Sequence, residues 1–409
     1  MFGVIFPDEE IDMQKLHHIS SYLFKTIEEF LAWYEWKSDQ AEVDMALLKS
    51  YRRLQQPQLF FKVLEKSVKN LEQSQVKGSQ YHHQLFQLEN LRFSQMRTVS
   101  KNRNFGLQKL SDLQDEAFLI QILKTACLLL SSQAVSKSTY DLGLIPIVQN
   151  YCTAKNFLNN PTLAIYYYAS KALSDFQDDD SFHSLKELLL EHRSRFNISE
   201  LYDIHVFALN YGIRRLNMGE KHFMREIFEI YQSGIVSKIF KEKDMLAPRT
   251  YSNIVMSGLR LGEYEAVESF IYEYKKELPE QQREGLFNYN LAHLHYERKN
   301  YKDAMPLLLQ IETSDELIAC TSKTLLAKMY FELNENESLT NLIQSFKIYL
   351  KRKKILGYHR DLYSNFILLL NKIIHIKDNK NQKEYLFNEI KNKKVLAEKS
   401  WLLEQITNK

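Results

Sequence analysis

YSNIVMSGLRLGEYEAVESFIYEYKKELP, residues 251–279, reads as two helices joined by one tight turn. Tyr251, Ile254, Val255, Gly258 and Leu261 recur at spacings of three and four, which places them on one side of a helix. Gly262-Glu263-Tyr264 then turns the chain, and Ala266, Val267, Phe270, Ile271 and Tyr274 load a second helix before Pro279. The absence of a side chain at Gly258 permits close approach between the two helices, while the aromatic groups fill wider gaps. The stretch is a helical pair.

A related arrangement follows directly. Tyr289, Leu291, Ala292, His295 and Tyr296 precede Lys299-Asn300-Tyr301, and Ala304, Leu307, Leu308 and Ile311 follow it. Tyr264 and Tyr301 lie 37 residues apart at the same place in the two turns. A weaker third copy has Leu326, Ala327, Tyr330 and Leu333, then Asn334-Glu335-Asn336, then Leu339, Ile343 and Phe346. This period suits a two-helix unit that cannot bury its own apolar face and must stack on its neighbours.

These landmarks resemble the tetratricopeptide repeat family. Gly262, Tyr264 and Pro279 match that family's pattern, Val267 takes the usual Ala position with Ala266 beside it, and Ala304 fits the same slot in the second unit. The second unit lacks the closing Pro, and the third has Asn336 where the turn aromatic belongs. The resemblance covers residues 248–347 and implies an all-α, right-handed superhelix of degenerate repeats. Residues 199–234, centred on Gly219, fit a further but irregular pair.

Working outward, the same helical rhythm continues. Leu16, Ile19, Tyr22, Leu23, Ile27, Phe30, Leu31 and Tyr34 predict a helix over 12–36 with one broad apolar stripe. Ser38 and Asp39 mark the start of the next helix, to Leu54, and Pro57 opens another ending near Leu71. Further helices are predicted over 79–99, 111–130, 162–173, 181–192, 199–216 and 220–230, with Asp178-Asp179-Asp180 favouring the positive end of the helix that follows. The expected organisation is a helical-repeat-like region or helical bundle over 1–198, repeats over 199–347, and basic capping helices over 348–409.

The composition agrees with that reading. The chain of 409 residues is 44% hydrophobic and 12% aromatic, enough for a large core and against a disordered polymer. Only 11 Gly and 7 Pro punctuate it, against average usage of roughly 7% and 5%, so long helices are the economical solution. Cys127, Cys152 and Cys320 have no metal-ligand spacing and read as small core side chains. No signal segment or membrane-length apolar run is present, and a reducing, cytoplasmic location is expected.

No motif points to catalysis. His293-Leu294-His295 separates its imidazoles by roughly 200° on a helix, so they do not converge on one ion. The adjacent pairs His17-His18 and His82-His83 diverge in the same way. Neither a zinc-protease HExxH, a P-loop, a GxGxxG segment nor a nucleophile elbow occurs, and neither an enzyme activity nor a cofactor is expected.

The expected function is a protein-protein interaction scaffold. In the resembled family the first helix of each pair faces inward. By that likeness Arg249, Ser252, Asn253, Met256 and Arg260 form a patch for a peptide or protein partner, continued by Tyr289, Asn290, His293, Thr324 and Lys328. Arg249 and Arg260 would orient a carboxylate, while Asn253 and Asn290 would meet peptide amides. The bland alternative makes the arginines solvated groups and places Met256 and Tyr289 in helix packing.

A second class of partner is nucleic acid. Residues 341–409 hold fifteen Lys or Arg against six Asp or Glu, a charge of +9 in a chain whose total is +3. Lys351, Arg352, Lys353 and Lys354, with Lys391, Lys393 and Lys394, are candidate phosphate contacts. Tyr358, Tyr363, Tyr385 and Trp401 would stack on bases if exposed. A purely structural homo-oligomer is the third reading, and it would require an exposed apolar packing surface.

Overall fold

The computed structural model describes residues 12–99, 106–135, 139–154, 157–311, 315–352, 357–376 and 380–408. They form an all-α protein with one short hairpin, divided into two compact units, Met1–Tyr211 and Gly212–Lys409. Among the described residues no helix is long and apolar enough to cross a membrane.

The first unit contains α1 (Met13–Ser38), α2 (Gln40–Arg53), α3 (Pro57–Gln73), α4 (Ser79–Val99), α5 (Leu107–Val135), α6 (Ile145–Ala154), α7 (Pro161–Ser174) and α8 (Asp179–His192), and α9 (Ile198–Asn217) carries the chain past its boundary. Side-chain caps set several starts. Asp39 accepts from Ala41 N at 2.9 Å, Asn160 from Thr162 N at 3.1 Å and Asp178 from Ser181 N at 2.9 Å, each satisfying a backbone donor that the first helical turn leaves open. The core packs α5 on α7 and α7 on α8, with Leu123, Cys127, Ile165 and Leu185 fully buried.

One carboxylate knits this unit together. Glu200, 3% exposed, accepts from the Tyr166 hydroxyl at 2.6 Å and from Ser79 N at 2.9 Å, with Lys124 Nζ 3.9 Å away. It therefore joins the start of α4 to α5, α7 and α9. A side chain at Gly78 would collide with that carboxylate, which is why the turn into α4 has none.

The second unit continues with α10 (Phe223–Val236), the strands β1 (Lys241–Glu242) and β2 (Met245–Leu246), and then α11 (Pro248–Leu261), α12 (Tyr264–Glu273), α13 (Arg283–Glu297), α14 (Tyr301–Leu309), α15 (Glu316–Glu332), α16 (Asn336–Arg352), α17 (Gly357–His375), α18 (Lys380–Asn392) and α19 (Lys399–Asn408). Each of α11, α13 and α15 packs on the helix that follows it, and α13 also packs on both α11 and α15. Repeating helix pairs are thus present, with the first helices touching one another.

The pairs share one turn geometry. Gly262, Lys299 and Asn334 have φ of 76°, 58° and 59°, in the left-handed region. At each, two backbone bonds close the helix: Gly262 N to Leu259 O and Glu263 N to Gly258 O, Lys299 N to Tyr296 O and Asn300 N to His295 O, Asn334 N to Phe331 O and Glu335 N to Tyr330 O. This Schellman closure satisfies carbonyls that the helix end leaves open. Gly219, at φ 103°, makes the same two bonds, to Leu216 O and from Glu220 N to Arg215 O, so the turn expected between α9 and α10 has the same form.

Counting from those residues recovers the core. The position seven before the turn residue is small or β-branched and buried in Val255, Ala292 and Ala327; the position five after it is buried in Val267, Ala304 and Leu339. Val267 and Ile271 meet Phe287 and Leu291 across the first two pairs, while Ala292, Ala304 and Leu308 meet Leu325 and Met329 across the next two. The last helices enclose Phe366, Leu370, Ile390, Trp401 and Leu402 in a third cluster.

Several boundaries differ from the sequence expectation. The helix predicted over 111–130 spans 107–135, and that predicted over 220–230 starts at Phe223 because the residues after Gly219 are spent in the turn. The hairpin of β1 and β2 was not foreseen. Its turn residues Lys243 and Asp244 sit at φ 49° and 64°, without the Asn-Gly signal that usually announces such a turn.

Gly258 gives the packing its sharpest test. A Cβ there would clash with Val267 and lie 3.1 Å from Phe228, side chains of two neighbouring helices. Gly258→Ala is expected to destabilise the chain by about 1–3 kcal/mol through overpacking, whereas Asn334→Gly should be neutral or stabilising by about 0.5 kcal/mol. Urea unfolding of both variants measures the contrast, and equal midpoints would count against the packing assigned to Gly258.

Candidate functional site

The first helices α11, α13 and α15 line up equivalent positions. Met256, His293 and Lys328 each lie six residues before their turn residue, and Arg260, Glu297 and Glu332 each lie two before it. All but Glu332 line a single cavity of about 150 Å³ together with Leu259, Tyr296, Thr321, Thr324, Leu325 and Glu398. Residues up to 142 positions apart in sequence, Met256 and Glu398, share that wall.

Five of the ten residues proposed for partner binding therefore come together: Met256, Arg260, His293, Thr324 and Lys328. The other five do not line the cavity. Arg249 is exposed, and exposed Asn253 donates to the Tyr231 hydroxyl at 3.1 Å. Asn290 is fully buried; its Nδ2 donates to Leu286 O at 2.8 Å and to Ser252 Oγ at 3.2 Å, while its Oδ1 has no partner. Tyr289 is buried with its ring edge-on to His293, and burial pushes its hydroxyl up to about 12. Tyr289 and Asn290 accordingly serve the packing between first helices.

The cavity holds a graded set of polar groups. His293 is 7% exposed and its Nε2 has no hydrogen-bond partner. Burial, reinforced by the charge of Lys328, pulls its imidazole down to about 3, so the ring is neutral at pH 7. Arg260 is exposed and enters no ion pair among the described residues. Burial raises the Glu297 carboxyl above the usual range, against the opposing charges of Lys328 and Lys299.

Lys328 is held from three sides. Its ammonium donates to Glu398 at 2.7 Å and sits over the rings of Tyr296 at 4.7 Å and Trp401 at 5.6 Å. Cation-π contact and a carboxylate together compensate an amine that is only 8% exposed. Glu398 supplies that carboxylate from a left-handed backbone, φ 53°, immediately before α19.

Glu332, next on the same face, fastens the C-terminal helix. Its carboxylate accepts from Tyr296 at 2.7 Å, from Trp401 Nε1 at 2.7 Å, from Lys299 at 3.1 Å and from the Tyr301 hydroxyl. Burial alone would raise this carboxyl, but the four donors outweigh it and hold it below its usual range. Sequence reading missed Glu332 and Trp401 as a pair because their contact spans 69 positions.

The other candidates fall elsewhere. Lys351 and Arg352 are exposed at the end of α16, Lys391 and Lys394 are exposed and Lys393 is half-buried, while Lys353 and Lys354 lie outside the described residues. Tyr363 and Trp401 are each 8% exposed and packed in the core, so their faces are not offered for base stacking; Tyr385 is exposed, and the side chain of Tyr358 lies outside the described residues. Cys127, Cys152 and Cys320 are buried free thiols, raised by burial, the last two to about 11. His82 is buried 3.3 Å from Glu116, whereas His17 and His18 are exposed on α1.

Among the described residues no group of three or more His, Cys, Asp or Glu side chains is placed to hold a metal ion. The chain matches no protein-family model, no curated protein and no solved structure.

Glu332 makes a pH prediction with a definite sign. A carboxyl held low in the folded state stabilises it above the unfolded value, about 4.3, and that contribution is lost as pH falls through the folded value. Glu332→Gln should lower the thermal midpoint at pH 7 by the loss of about 2–3 kcal/mol, and the gap from the parent chain should close below about pH 4. A gap that stays constant from pH 7 to pH 3 would show that the charge of Glu332 is immaterial.

Proposed function

We propose that the chain is a tetratricopeptide-like helical repeat solenoid that holds a protein partner, and that the partner seats on the face of the first helices α11, α13 and α15. The observation that carries this reading is the cavity built from equivalent positions of three consecutive pairs, Met256, His293 and Lys328 beside Arg260 and Glu297. Stacked pairs present such repeated positions as a continuous surface, and partners of repeat proteins are read by side chains arrayed along it. The fold class by itself says nothing of the partner, so the reading rests on the site.

The chemistry of the lining indicates a peptide segment carrying a carboxylate. Exposed Arg260 offers a planar guanidinium that enters no ion pair among the described residues, suited to a bidentate carboxylate contact. Met256 and Leu259 give the adjoining apolar wall, and Thr321 and Thr324 give hydroxyls for backbone groups. His293, neutral and unpaired at Nε2, adds one more polar group at little desolvation cost. The chain acts on this reading by positioning, as a scaffold, and needs no cofactor.

Affinity capture at native expression levels would identify the partner, and Arg260 then decides the mode. Arg260→Ala should weaken binding about tenfold or more, the worth of one charge-assisted hydrogen-bonded pair, while Arg249→Ala, outside the cavity, should change it less than twofold. Equal affinities for the parent chain and Arg260→Ala, with the helical content unchanged, would remove this cavity from the interface.

A further inference from the structure

The helix α1 differs from every other α-helix among the described residues. None of its residues is buried, although it runs for 26 residues, Met13–Ser38. Ten of its large apolar side chains keep between 40% and 75% of their surface exposed, Trp36 the least and Tyr22 the most. With aromatic side chains of roughly 150–250 Å² each, the bare apolar surface is on the order of 1,000 Å². Taken around the whole helix, that sum is comparable with the ~800 Å² that each partner contributes to a standard interface.

The sequence of α1 is complementary to itself in one orientation. Leu16, Ser20, Leu23, Ile27, Phe30 and Tyr34 follow one another at alternating spacings of four and three, the seam along which two helices pack. Laid antiparallel about a two-fold axis at Lys25, Leu16 comes opposite Tyr34, Ser20 opposite Phe30 and Leu23 opposite Ile27. Each ring of the seam then faces a smaller side chain, Phe30 against Ser20 and Tyr34 against Leu16. Charge selects the same direction: Lys15 and Lys25, with His17 and His18, lie in the first half of the helix, and Glu28, Glu29 and Glu35 outnumber Lys37 in the second. An antiparallel pair sets basic half against acidic half, and a parallel pair sets like against like.

We propose that α1 is a self-association helix, whose occupant is α1 of a second copy of this chain running antiparallel to it. The arrangement is isologous, as a two-fold dimer requires, since each contact occurs twice. It leaves Tyr22 and Trp33 at the rim and Trp36 on the far side, where rings with a polar tip tolerate water. A lipid surface is the poorer occupant because the three lysines of α1 are balanced by three glutamates, without the net Lys/Arg enrichment of helices that lie in membranes.

The mass of the full chain in solution, measured by sedimentation over a concentration series, tests this directly. The expected result is a dimer, with Leu23→Glu plus Phe30→Glu weakening association by at least ~100-fold while any loss of helical circular dichroism stays within the share of α1, because neither side chain is buried in the chain. Cross-linking fixes the direction: Leu16→Cys mixed with Tyr34→Cys should form a disulfide that neither variant forms alone, against a silent background because the native cysteines are buried. A monomer at every concentration up to roughly 100 µM overturns the proposal. So does cross-linking of Leu16→Cys alone as readily as the mixture, or binding of the monomer through α1 to phosphatidylserine vesicles.

Discussion

The three pairs α11–α12, α13–α14 and α15–α16 are each closed by one residue in the left-handed backbone region, and the register of the pairs depends on that closure. Gly262 adopts it without strain, Asn334 with little, and Lys299 against the steric preference of a side chain that carries a Cβ. The two hydrogen bonds that accompany it end the first helix at a fixed phase and aim the second. Positions counted back from the turn therefore recur in space as well as in sequence. Val255, Ala292 and Ala327 become the packing seam, and Met256, His293 and Lys328, one residue further on, turn to the shared face.

This phase explains what the sequence could and could not show. Tyr264 and Tyr301 were visible because each follows its turn residue by two, and Ala304 because a small group must sit where two helices meet. The six-before position has no such signature: Met256, His293 and Lys328 share a place but no chemistry, and only the turn register aligns them. Met256, His293 and Lys328 of the expected partner patch share one cavity for this reason. Tyr289 and Asn290 are buried outside that cavity, because a polar residue on a first helix can point to the neighbouring first helix, where Asn290 meets Ser252. The apolar pattern of α1 was legible as a stripe, but a stripe does not reveal whether anything covers it.

Long-range polar contacts were beyond reach for a different reason. Glu332 binds Trp401 and Lys328 binds Glu398, residues with no periodic relation to one another. Their effect is nonetheless specific. A half-buried carboxylate with four donors, beside an ammonium between two rings, loses several favourable terms together if α19 shifts, so these groups define one position for that helix. The wall of the cavity is therefore set by α19 as much as by the repeated pairs, and a partner that contacts Lys328 competes with Glu398 for it.

A helix with an apolar face must hide that face against another element. α19 meets this need for the helices beside it: Trp401, Leu402 and Ile406 are buried against them. In the other unit α1 has the composition of a packing helix and the exposure of a surface one. A helix in water draws most of its stability from the apolar face it buries, and intrinsic propensity contributes little over 26 residues rich in aromatic and β-branched side chains. Formation of α1 and coverage of its face are on this argument one coupled step. The order of α1 should then rise with the concentration of whatever covers it, and its amides should exchange with solvent faster than those of α5 or α7 until that face is occupied.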